Sequence, residues 1–425
     1  MKKVRSLSHF LLFLVWFAPC VCGQGLPYVS PENVGMSLER LRRISPVMEQ
    51  YVEQNRIAGA VTLIARHGKT VYLNKFGMMD IEADKSMRTD AIFRIASMSK
   101  PITCTAIMIL LEEGHFLLSD PISKFIPEFR NPQVLESSST DDSFTLVSAK
   151  REITIKHLLN HTSGITYGSG SHGEFYRKAG ISSGLFRTKG TIGEMVKKLA
   201  GLPLNHHPGD GWSDGLSQDV LGYLIEVVSG MPLDKFLQKR IFEPLGMKDT
   251  FFYIPEDKQE RLTSLYSLKN NSVLEKQPGG AVEAGFPGER TYFSGGGGLC
   301  STISDYVRFS QMLLNRGELD GVRILSRKTV ELMTTDSTGG IKILQDTDDT
   351  RATHGDSYGL GLGIRTEPGD IESQGTFGWG GAFYTLFWID PKEDLIGIFM
   401  TQLQSGVDKS LHRKFRILAY QAIVD

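Results

Sequence analysis

The sequence predicts an α/β fold of the α+β type, in which helices flank an antiparallel sheet that both ends of the chain supply. Short β-type runs occur near the start, at 58–65 and 70–76, and strand patterns return between residues 358 and 401. Most of the chain between them carries the apolar periodicity of helices. The simplest arrangement of these patterns is one sheet built from both termini, with a helical insertion domain between them.

At 425 residues the chain is long enough for two domains. We expect a discontinuous α/β domain formed by residues 24–95 and 300–425, and a mainly helical domain formed by residues 96–299. Within the helical part, residues 131–148 are polar and serine-rich, which predicts a surface loop. The glycine- and serine-rich residues 165–190 predict a long loop near a site.

The first residues, 1–23, have the pattern of a secretory signal peptide. Three basic residues, Lys2, Lys3 and Arg5, precede an apolar run at 10–17, and small residues follow that run. The run is shorter than the ~20 residues that a membrane-spanning helix needs. We therefore expect a secreted or periplasmic mature protein without stable membrane insertion.

The charge and the cysteine content argue against several classes of function. The formal net charge is −1, and no basic stretch marks a surface for nucleic acid. Of the four cysteines, Cys104 and Cys300 lie beyond the leader, so at most one disulfide can form there. Cys104 lies in an apolar helix and is expected as a buried thiol. No histidine or cysteine spacing is typical of a metal site, and we expect neither a metal nor another cofactor.

A candidate nucleophile lies at the start of an apolar helix predicted over residues 97–113. The chain reads Ser97-Met98-Ser99-Lys100, and a helical backbone places residues three apart on the same face. Lys100 can therefore reach Ser97, whose hydroxyl needs a neighbouring base to become a nucleophile. The partial positive charge at the helix N-terminus also favours a developing anion.

These residues lie in a segment, FRIASMSK at 93–100, that resembles the nucleophile segment of the serine β-lactamase and penicillin-binding superfamily. The likeness is greatest to the class C-like branch, which includes the family VIII carboxylesterases. Residues 153–164 (ITIKHLLNHTSG) resemble that branch's helix-and-turn signature, and residues 208–209 and 220–222 frame its second motif. The resemblance covers about residues 35–420 and implies a β-lactamase/transpeptidase-like fold.

The third motif resembles that of the esterases. The chain reads WGGA at 379–382, where β-lactamases carry Lys-Thr-Gly. The resemblance implies an oxyanion hole made by the backbone amides of Ser97 and Ala382. It also implies a set of residues that line the substrate site, namely Trp379, Gly380, Gly381, Phe383 and Tyr384. Because Phe383 and Tyr384 stand where relatives tend to have small residues, either could narrow the acyl pocket.

The second motif departs from the superfamily pattern. Its tyrosine, which shares the proton of the nucleophile with the lysine, aligns with Asp214. A carboxylate beside Lys100 would raise the pKa of the lysine and weaken it as a base, and Asp214 could itself serve as a catalytic base or relay. Two other interpretations are open: Asp214 caps the helix that begins near Ser217, or the alignment is shifted. The missing hydroxyl could come from a tyrosine elsewhere, namely Tyr167, Tyr292 or Tyr384.

Together these features predict a serine hydrolase that cleaves small-molecule carboxylic esters with short acyl chains through an acyl-serine intermediate, with Ser97, Lys100 and Asp214 as catalytic residues. One alternative is a β-lactamase or D-amino-acid peptidase acting on cell-wall-type substrates. The lack of Lys-Thr-Gly argues against it, because that lysine would pair with a substrate carboxylate. The other alternative is a catalytically impaired binding protein, because Asp214 replaces the expected tyrosine.

Overall fold

The computed structural model describes residues 25–137, 144–183, 185, 189–270, 273–278, 290–341, 343, 355–368, 371–405, 408 and 410–425. The leader predicted at 1–23 lies outside these ranges, so the signal peptide and the localisation stay predictions. Across the residues that are described, no helix is long and apolar enough to cross a membrane.

An antiparallel sheet of eight strands forms the centre of the fold. The strands of this sheet and of four separate two-stranded sheets are, in chain order, β1 (Gly59–Arg66), β2 (Lys69–Asp80), β3 (Lys85–Ser86), β4 (Phe93–Arg94), β5 (Gln133–Ser137), β6 (Phe144–Ser148), β7 (Tyr266–Lys269), β8 (Val273–Lys276), β9 (Cys300–Ser301), β10 (Glu318–Leu319), β11 (Val322–Arg323), β12 (Ser357–Tyr358), β13 (Gly363–Ile364), β14 (Phe377–Gly380), β15 (Leu386–Asp390) and β16 (Leu395–Thr401). The central sheet has the order β12-β13-β14-β15-β16-β1-β2-β3. Strands from the two ends of the chain pair directly through β1 and β16. An antiparallel sheet flanked by helices confirms the predicted fold class.

The helices lie on both faces of this sheet. In chain order they are α1 (Leu38–Leu41), α2 (Ile44–Glu53), α3 (Ser99–Glu112), α4 (Ile155–Leu159), α5 (Gly173–Ala179), α6 (Ile192–Leu199), α7 (Ser217–Ser229), α8 (Leu233–Leu237), α9 (Glu243–Leu245), α10 (Ile303–Leu314), α11 (Arg327–Met333) and α12 (Ser410–Tyr420). Short 3-10 turns occur at Pro31–Val34, Ala96–Met98, Ile122–Lys124, Pro127–Phe129, Gly170–His172 and Glu256–Arg261, and a π-helical turn at Gln238–Phe242 joins α8 to α9.

Residues of β1 alternate between two apolar cores. Val61 and Leu63 face the larger core, which includes residues of α3, α7 and α10, whereas Ala60 and Ile64 face a smaller core with α2 and α12. Because both faces of the sheet are covered, β1 is buried along its whole length. Helix α3 is buried from Ser99 to Leu110, as expected for a helix that is apolar all round.

Two local predictions are wrong. Residues 131–148 hold a hairpin of β5 and β6 in place of a surface loop. Val134 in this hairpin is buried and also bridges to Leu204, so pairing with a distant segment adds stability that the polar composition does not indicate. The loop predicted over 165–190 contains the short helix α5.

Candidate active site

Ser97 lies in a tight turn between a strand and a helix. It is the middle residue of the 3-10 turn Ala96–Met98, which leads directly into α3. Ala96 has a φ of +44°, in the left-handed region that residues with a side chain rarely adopt. Such backbone strain persists only where neighbouring contacts hold it, and it is common at functional sites. One of these contacts is the hydroxyl of Tyr306, which donates to the carbonyl oxygen of Met98 at 2.8 Å.

Lys100 makes three hydrogen bonds from a fully buried position. Its Nζ donates to Oγ of Ser97 at 2.7 Å, to the hydroxyl of Tyr167 at 2.9 Å and to the carbonyl oxygen of Gly296 at 3.3 Å. An ammonium group has three N–H donors and no acceptor, so it can donate in each of these contacts. The pairing of Ser97 with Lys100 is the one that their spacing in the sequence predicts.

The charge of Lys100 depends on two opposing effects. Complete burial lowers its pKa, whereas the carboxylate of Asp214 and the hydroxyl of Tyr167 raise it, and the result lies above the ordinary value. The Nζ atom lies 3.6 Å from Oδ1 of Asp214. Lys100 is therefore an ammonium ion at neutral pH, and it must pass on a proton before it can accept one from Ser97.

A hydroxyl beside Lys100 comes from outside the second motif. Tyr167 follows the turn at 161–164, and its neighbour Gly168 is held by an N–H bond to the hydroxyl of Thr166 at 2.9 Å. Burial raises the pKa of Tyr167 to about 12, so the phenol is neutral at pH 7. Of the three tyrosines that the sequence leaves open, Tyr167 is the one whose hydroxyl contacts Lys100. The signal for it is its position three residues after the recognisable turn.

Asp214 lies beside Lys100, where the alignment of the second motif places it. Helix α7 begins after Leu216, two residues beyond Asp214, so the N-cap position is held by Leu216. Oδ1 of Asp214 lies 3.6 Å from Nζ of Lys100 and also 3.6 Å from Nε2 of His161. The Asp214 side chain is 30% exposed, whereas Lys100 and His161 are fully buried. The sequence patterns do not single out His161.

The end of β14 lies against the residue that comes two positions before Ser97. Oγ1 of Thr385 donates to the carbonyl oxygen of Ile95 at 3.2 Å. A Cβ atom on Gly381 would overlap with that same carbonyl oxygen, so glycine is needed for the strand end to come this close. Gly381 and its neighbour Ala382 therefore lie next to the nucleophile turn.

The first two residues of the third motif are the last two residues of β14. Trp379 is buried and packs edge-on against Tyr358, with ring centroids 5.0 Å apart. Gly380 pairs with Leu386 in the neighbouring strand. An aromatic side chain thus occupies the position at which β-lactamases carry a lysine.

Four apolar side chains pack together beside the nucleophile turn, and we call them the apolar wall: Ala96, Leu185, Leu265 and Phe383. Ala96, Leu265 and Phe383 are buried, and Leu185 is partly exposed. Leu185 also covers Gly297, since a Cβ atom there would lie 2.7 Å from its Cδ2. The structure therefore places Phe383 next to the residue that precedes Ser97.

Tyr384 does not join these residues, although the resemblance implies that it lines the substrate site. Its hydroxyl donates to the carbonyl oxygen of Asp408, and its ring stacks on His412 with centroids 3.8 Å apart. The side chain belongs to the smaller core on the other face of the sheet. Both residues lie in the turn between β14 and β15, where Tyr384 has a φ of +65° in the left-handed region. The conformation of this turn directs the two side chains to different cores, with Phe383 on the side of Ser97.

The two cysteines beyond the predicted leader lie among the described residues. Cys104 and Cys300 are free, buried thiols, which confirms the expectation for Cys104. Within the described ranges, no group of three His, Cys, Asp or Glu side chains is placed to hold a metal ion.

Comparisons with known proteins place this geometry in a family context. The family model described as Beta-lactamase matches residues 44–421. Protein Rv1367c of Mycobacterium tuberculosis is 36% identical over 355 residues, which cover 81% of this chain and 86% of that protein. Esterase EstB of Burkholderia gladioli is 30% identical over 383 residues, which cover 84% of this chain and 89% of EstB. Among solved structures, EstCE1, a hydrolase with promiscuous acyltransferase activity, superposes with a TM-score of 0.74 at 27% identity and covers 90% of this chain and 99% of its own.

Proposed function

The chain belongs to the beta-lactamase family of serine hydrolases, and from that premise we propose that it cleaves small carboxylic esters through an acyl-serine intermediate on Ser97. The relatives support a hydrolase or acyl-transfer enzyme, because EstB is an esterase and EstCE1 is a hydrolase. Ester hydrolysis, the short acyl chain and the roles of individual residues are our proposal.

The observation that carries the proposal is the 2.7 Å contact between Nζ of Lys100 and Oγ of Ser97. A serine hydroxyl attacks an ester carbonyl only when a base within hydrogen-bond reach removes its proton. Lys100 is such a group once it has given up its own proton. The hydroxyl of Tyr167, on the same Nζ, is placed to protonate the alkoxide that leaves the ester.

Attack on the carbonyl carbon develops a negative charge on the carbonyl oxygen. We assign its stabilisation to the backbone amides of Ser97 and Ala382. The close approach of Gly381 to Ile95 supports this role, because it brings the end of β14 next to the nucleophile turn. One such donor lowers the barrier by roughly 3–4 kcal/mol.

Two features support a small ester over a β-lactam or a peptide. The apolar wall beside Ser97 suits a short acyl chain, which gains from burial against apolar atoms. Trp379 stands where β-lactamases have a lysine, so this position offers no cation to a substrate carboxylate.

The proposal is tested by comparing two substrates with the wild-type protein and Ser97→Ala. We expect hydrolysis of p-nitrophenyl butyrate with a kcat/KM at least about a hundredfold above that for a chromogenic cephalosporin, since the two demand different contacts in the transition state. Ser97→Ala should lose ester turnover. Faster turnover of the cephalosporin would favour the β-lactamase alternative. Turnover of neither compound by folded protein would favour the binding-protein alternative.

A second candidate reaction is acyl transfer to an alcohol, which the description of EstCE1 as promiscuous favours. An alcohol can attack an acyl-serine in place of water. The test adds methanol to the butyrate assay and measures methyl butyrate. Its formation supports transfer, whereas butyrate as the sole product restricts the chain to hydrolysis.

A further inference from the structure

Beside Lys100 the structure brings together a carboxylate and a buried histidine. Asp214 and His161 meet there with 3.6 Å between Oδ1 and Nε2, and the same Oδ1 lies 3.6 Å from Nζ of Lys100. A chain of polar atoms therefore runs from Oγ of Ser97 through Lys100 and Asp214 to His161. Any catalytic role of these atoms rests on the proposed function.

His161 has features that packing alone does not explain. Its ring is fully buried, and neither ring nitrogen meets the full hydrogen-bond geometry with a described residue, although the backbone of Ser213 is near enough to raise its pKa. Its φ of +61° lies in the left-handed region, which costs energy for a residue with a side chain. Buried polar groups are normally hydrogen-bonded, so an exception calls for a reason. Here neither nitrogen meets that full geometry, and Nε2 faces a carboxylate.

The ring is also uncharged under working conditions. Burial lowers the pKa of His161 to about 4, although Asp214 opposes that effect. At neutral pH the imidazole therefore keeps one nitrogen without a proton, which is a hydrogen-bond acceptor. When the nitrogen without a proton is Nε2, it cannot bond to the carboxylate of Asp214, but it can accept a hydrogen bond from the carboxylic acid.

We propose that Asp214 and His161 form a proton relay for Lys100 in the esterase reaction. Lys100 transfers a proton to the carboxylate of Asp214 and then accepts the hydroxyl proton of Ser97 as the Oγ–carbon bond forms. The Asp214 carboxylic acid donates its hydrogen bond to the free nitrogen of His161. When the ester C–O bond breaks, the proton of Lys100 passes to the leaving alkoxide through Tyr167, and Lys100 recovers its own from Asp214.

Substrate binding supplies the reason for the first transfer. In the free protein the Asp214 side chain is 30% exposed, so water stabilises the charged pair with Lys100. An ester seated on Ser97 covers this opening, and a charged pair that loses its water is less favourable than a neutral one. A hydrogen bond to the neutral form of an acid favours that form, which is the contribution of His161. Catalytic hydrogen bonds are often long before substrate binds, as the 3.6 Å separation is here.

Several other groups face this relay. Tyr167 contacts Lys100 directly, and Tyr358 packs on the His161 ring with centroids 5.1 Å apart. Trp212 also packs on His161, at 5.5 Å. Asp219 on α7 acts on Lys100 electrostatically, and burial raises the pKa of its carboxyl to about 6.

The test is a double-mutant cycle on p-nitrophenyl butyrate turnover with His161→Asn, Asp214→Asn and the double variant. Asparagine tolerates the left-handed backbone at position 161. We expect His161→Asn to lower kcat about tenfold with little change in KM, since His161 touches no substrate. In the Asp214→Asn background the same change should cost nothing further, because the relay is already broken. If turnover is too slow to follow, the rate at which a fluorophosphonate labels Ser97 replaces kcat as the quantity compared among the four proteins of the cycle.

The matched control is His67→Asn. His67 also has a left-handed backbone, with a φ of +52°, and its Nδ1 lies 2.8 Å from Oδ2 of Asp394, but the pair is exposed on the β1–β2 turn. This variant should keep the wild-type kcat. If His161→Asn fails to fold, His161→Gln replaces it in the same cycle.

Two results would overturn the relay while ester turnover by the wild-type protein upholds the proposed function. One is an unchanged kcat in folded His161→Asn. The other is an equal loss in both backgrounds, which would make His161 a packing residue. A folded wild-type protein that neither turns over esters nor reacts with the probe would instead overturn the proposed function, and the relay with it.

Discussion

At the scale of single residues, the site keeps a hydroxyl beside Lys100 but takes it from a different part of the chain. Tyr167 bonds to Nζ at 2.9 Å, while Asp214 stands at the position of the second-motif tyrosine, 3.6 Å from the same atom. The proposed mechanism thus assigns the hydroxyl to Tyr167 and the proton-sharing role to Asp214, two functions that the resemblance gives to a single tyrosine.

Replacing Tyr167 by phenylalanine tests this division. We expect Tyr167→Phe to lower kcat for p-nitrophenyl butyrate by roughly 10²-fold or more, because the leaving alkoxide loses its proton donor. Tyr384→Phe is the matched control, since its hydroxyl bonds to the carbonyl of Asp408 in the smaller core, and it should leave kcat unchanged. Equal effects of the two variants would contradict the assignment.

The sequence predicts part of this site and leaves part of it open, for a physical reason. Ser97 and Lys100 are three residues apart on one helix, so local geometry alone brings them together. Tyr167 reaches Lys100 from a loop about seventy residues further along, and no local periodicity fixes the path of a loop. The same holds for His161, whose nearness to Asp214 depends on how the turn packs against the segment before α7.

At the scale of elements, the position of β14 against the nucleophile turn is the feature on which the proposed oxyanion hole depends. Gly381 donates its N–H to the carbonyl of Thr385 at 2.8 Å and faces the carbonyl of Ile95 without a side chain between them. A residue with a Cβ atom at 381 must move the strand end away from Ile95, and with it the amide of Ala382.

Gly381→Ala measures the value of this contact. We expect kcat/KM for p-nitrophenyl butyrate to fall at least about tenfold as the amide of Ala382 moves, and the free energy of unfolding to fall by about 1–3 kcal/mol from the overlap. Gly201→Ala is the control, because a Cβ atom there meets its nearest neighbour at an ordinary 3.6 Å. A Gly381→Ala variant as active as the control would contradict the placement of the oxyanion hole.

Elements with strong apolar periodicity agree closely with the sequence-based prediction, whereas elements held by pairing with distant segments do not. Strands β1 and β2 and helix α3 each begin within two residues of the predicted first residue, because their apolar patterns are continuous. The β5–β6 hairpin has exposed Phe144 and Leu146 on one strand and depends on the bridge from Val134 to Leu204. Its composition alone is that of a loop.

At the scale of the whole molecule, the two chain ends meet in one sheet, and the candidate site lies at the edge of the larger core. Strands β1 and β16 pair over seven residues, from Ala60↔Thr401 to Arg66↔Leu395. This pairing links the N-terminal hairpin to the strands that carry the third motif. The stability of the whole fold and the geometry of the candidate site are therefore coupled, and conditions that lower the stability should also disturb the site.

Acid should weaken the fold through His157, at the start of α4. Burial, with help from Arg151 and Lys156, lowers the pKa of its imidazole to about 4. The unfolded chain therefore binds this proton more tightly than the folded one, so the contribution of His157 to stability is present above pH 6.5 and is lost as the pH falls from 6.5 towards 4. The ring also completes a capping box, because Nδ1 accepts the N–H of Thr154.

His157→Gln isolates this effect, because glutamine can complete the same capping box without titrating. We expect the loss of unfolding free energy between pH 7 and pH 5, measured by urea denaturation, to be smaller in His157→Gln than in the wild-type protein. The difference between the two slopes of unfolding free energy against pH should stay below the ~1.4 kcal/mol per pH unit that a full difference of one bound proton gives. His115→Gln, at an exposed position, should keep the wild-type slope. An equal slope in all three proteins would contradict the account.

The most direct test of the central claim is the site at which a fluorophosphonate probe attaches to the folded protein. The 2.7 Å contact of Lys100 with Ser97 predicts one adduct per chain, on the peptide that contains Ser97, and none in Ser97→Ala. Attachment to a different residue, or no attachment to folded wild-type protein, would contradict the assignment of Ser97 as the nucleophile.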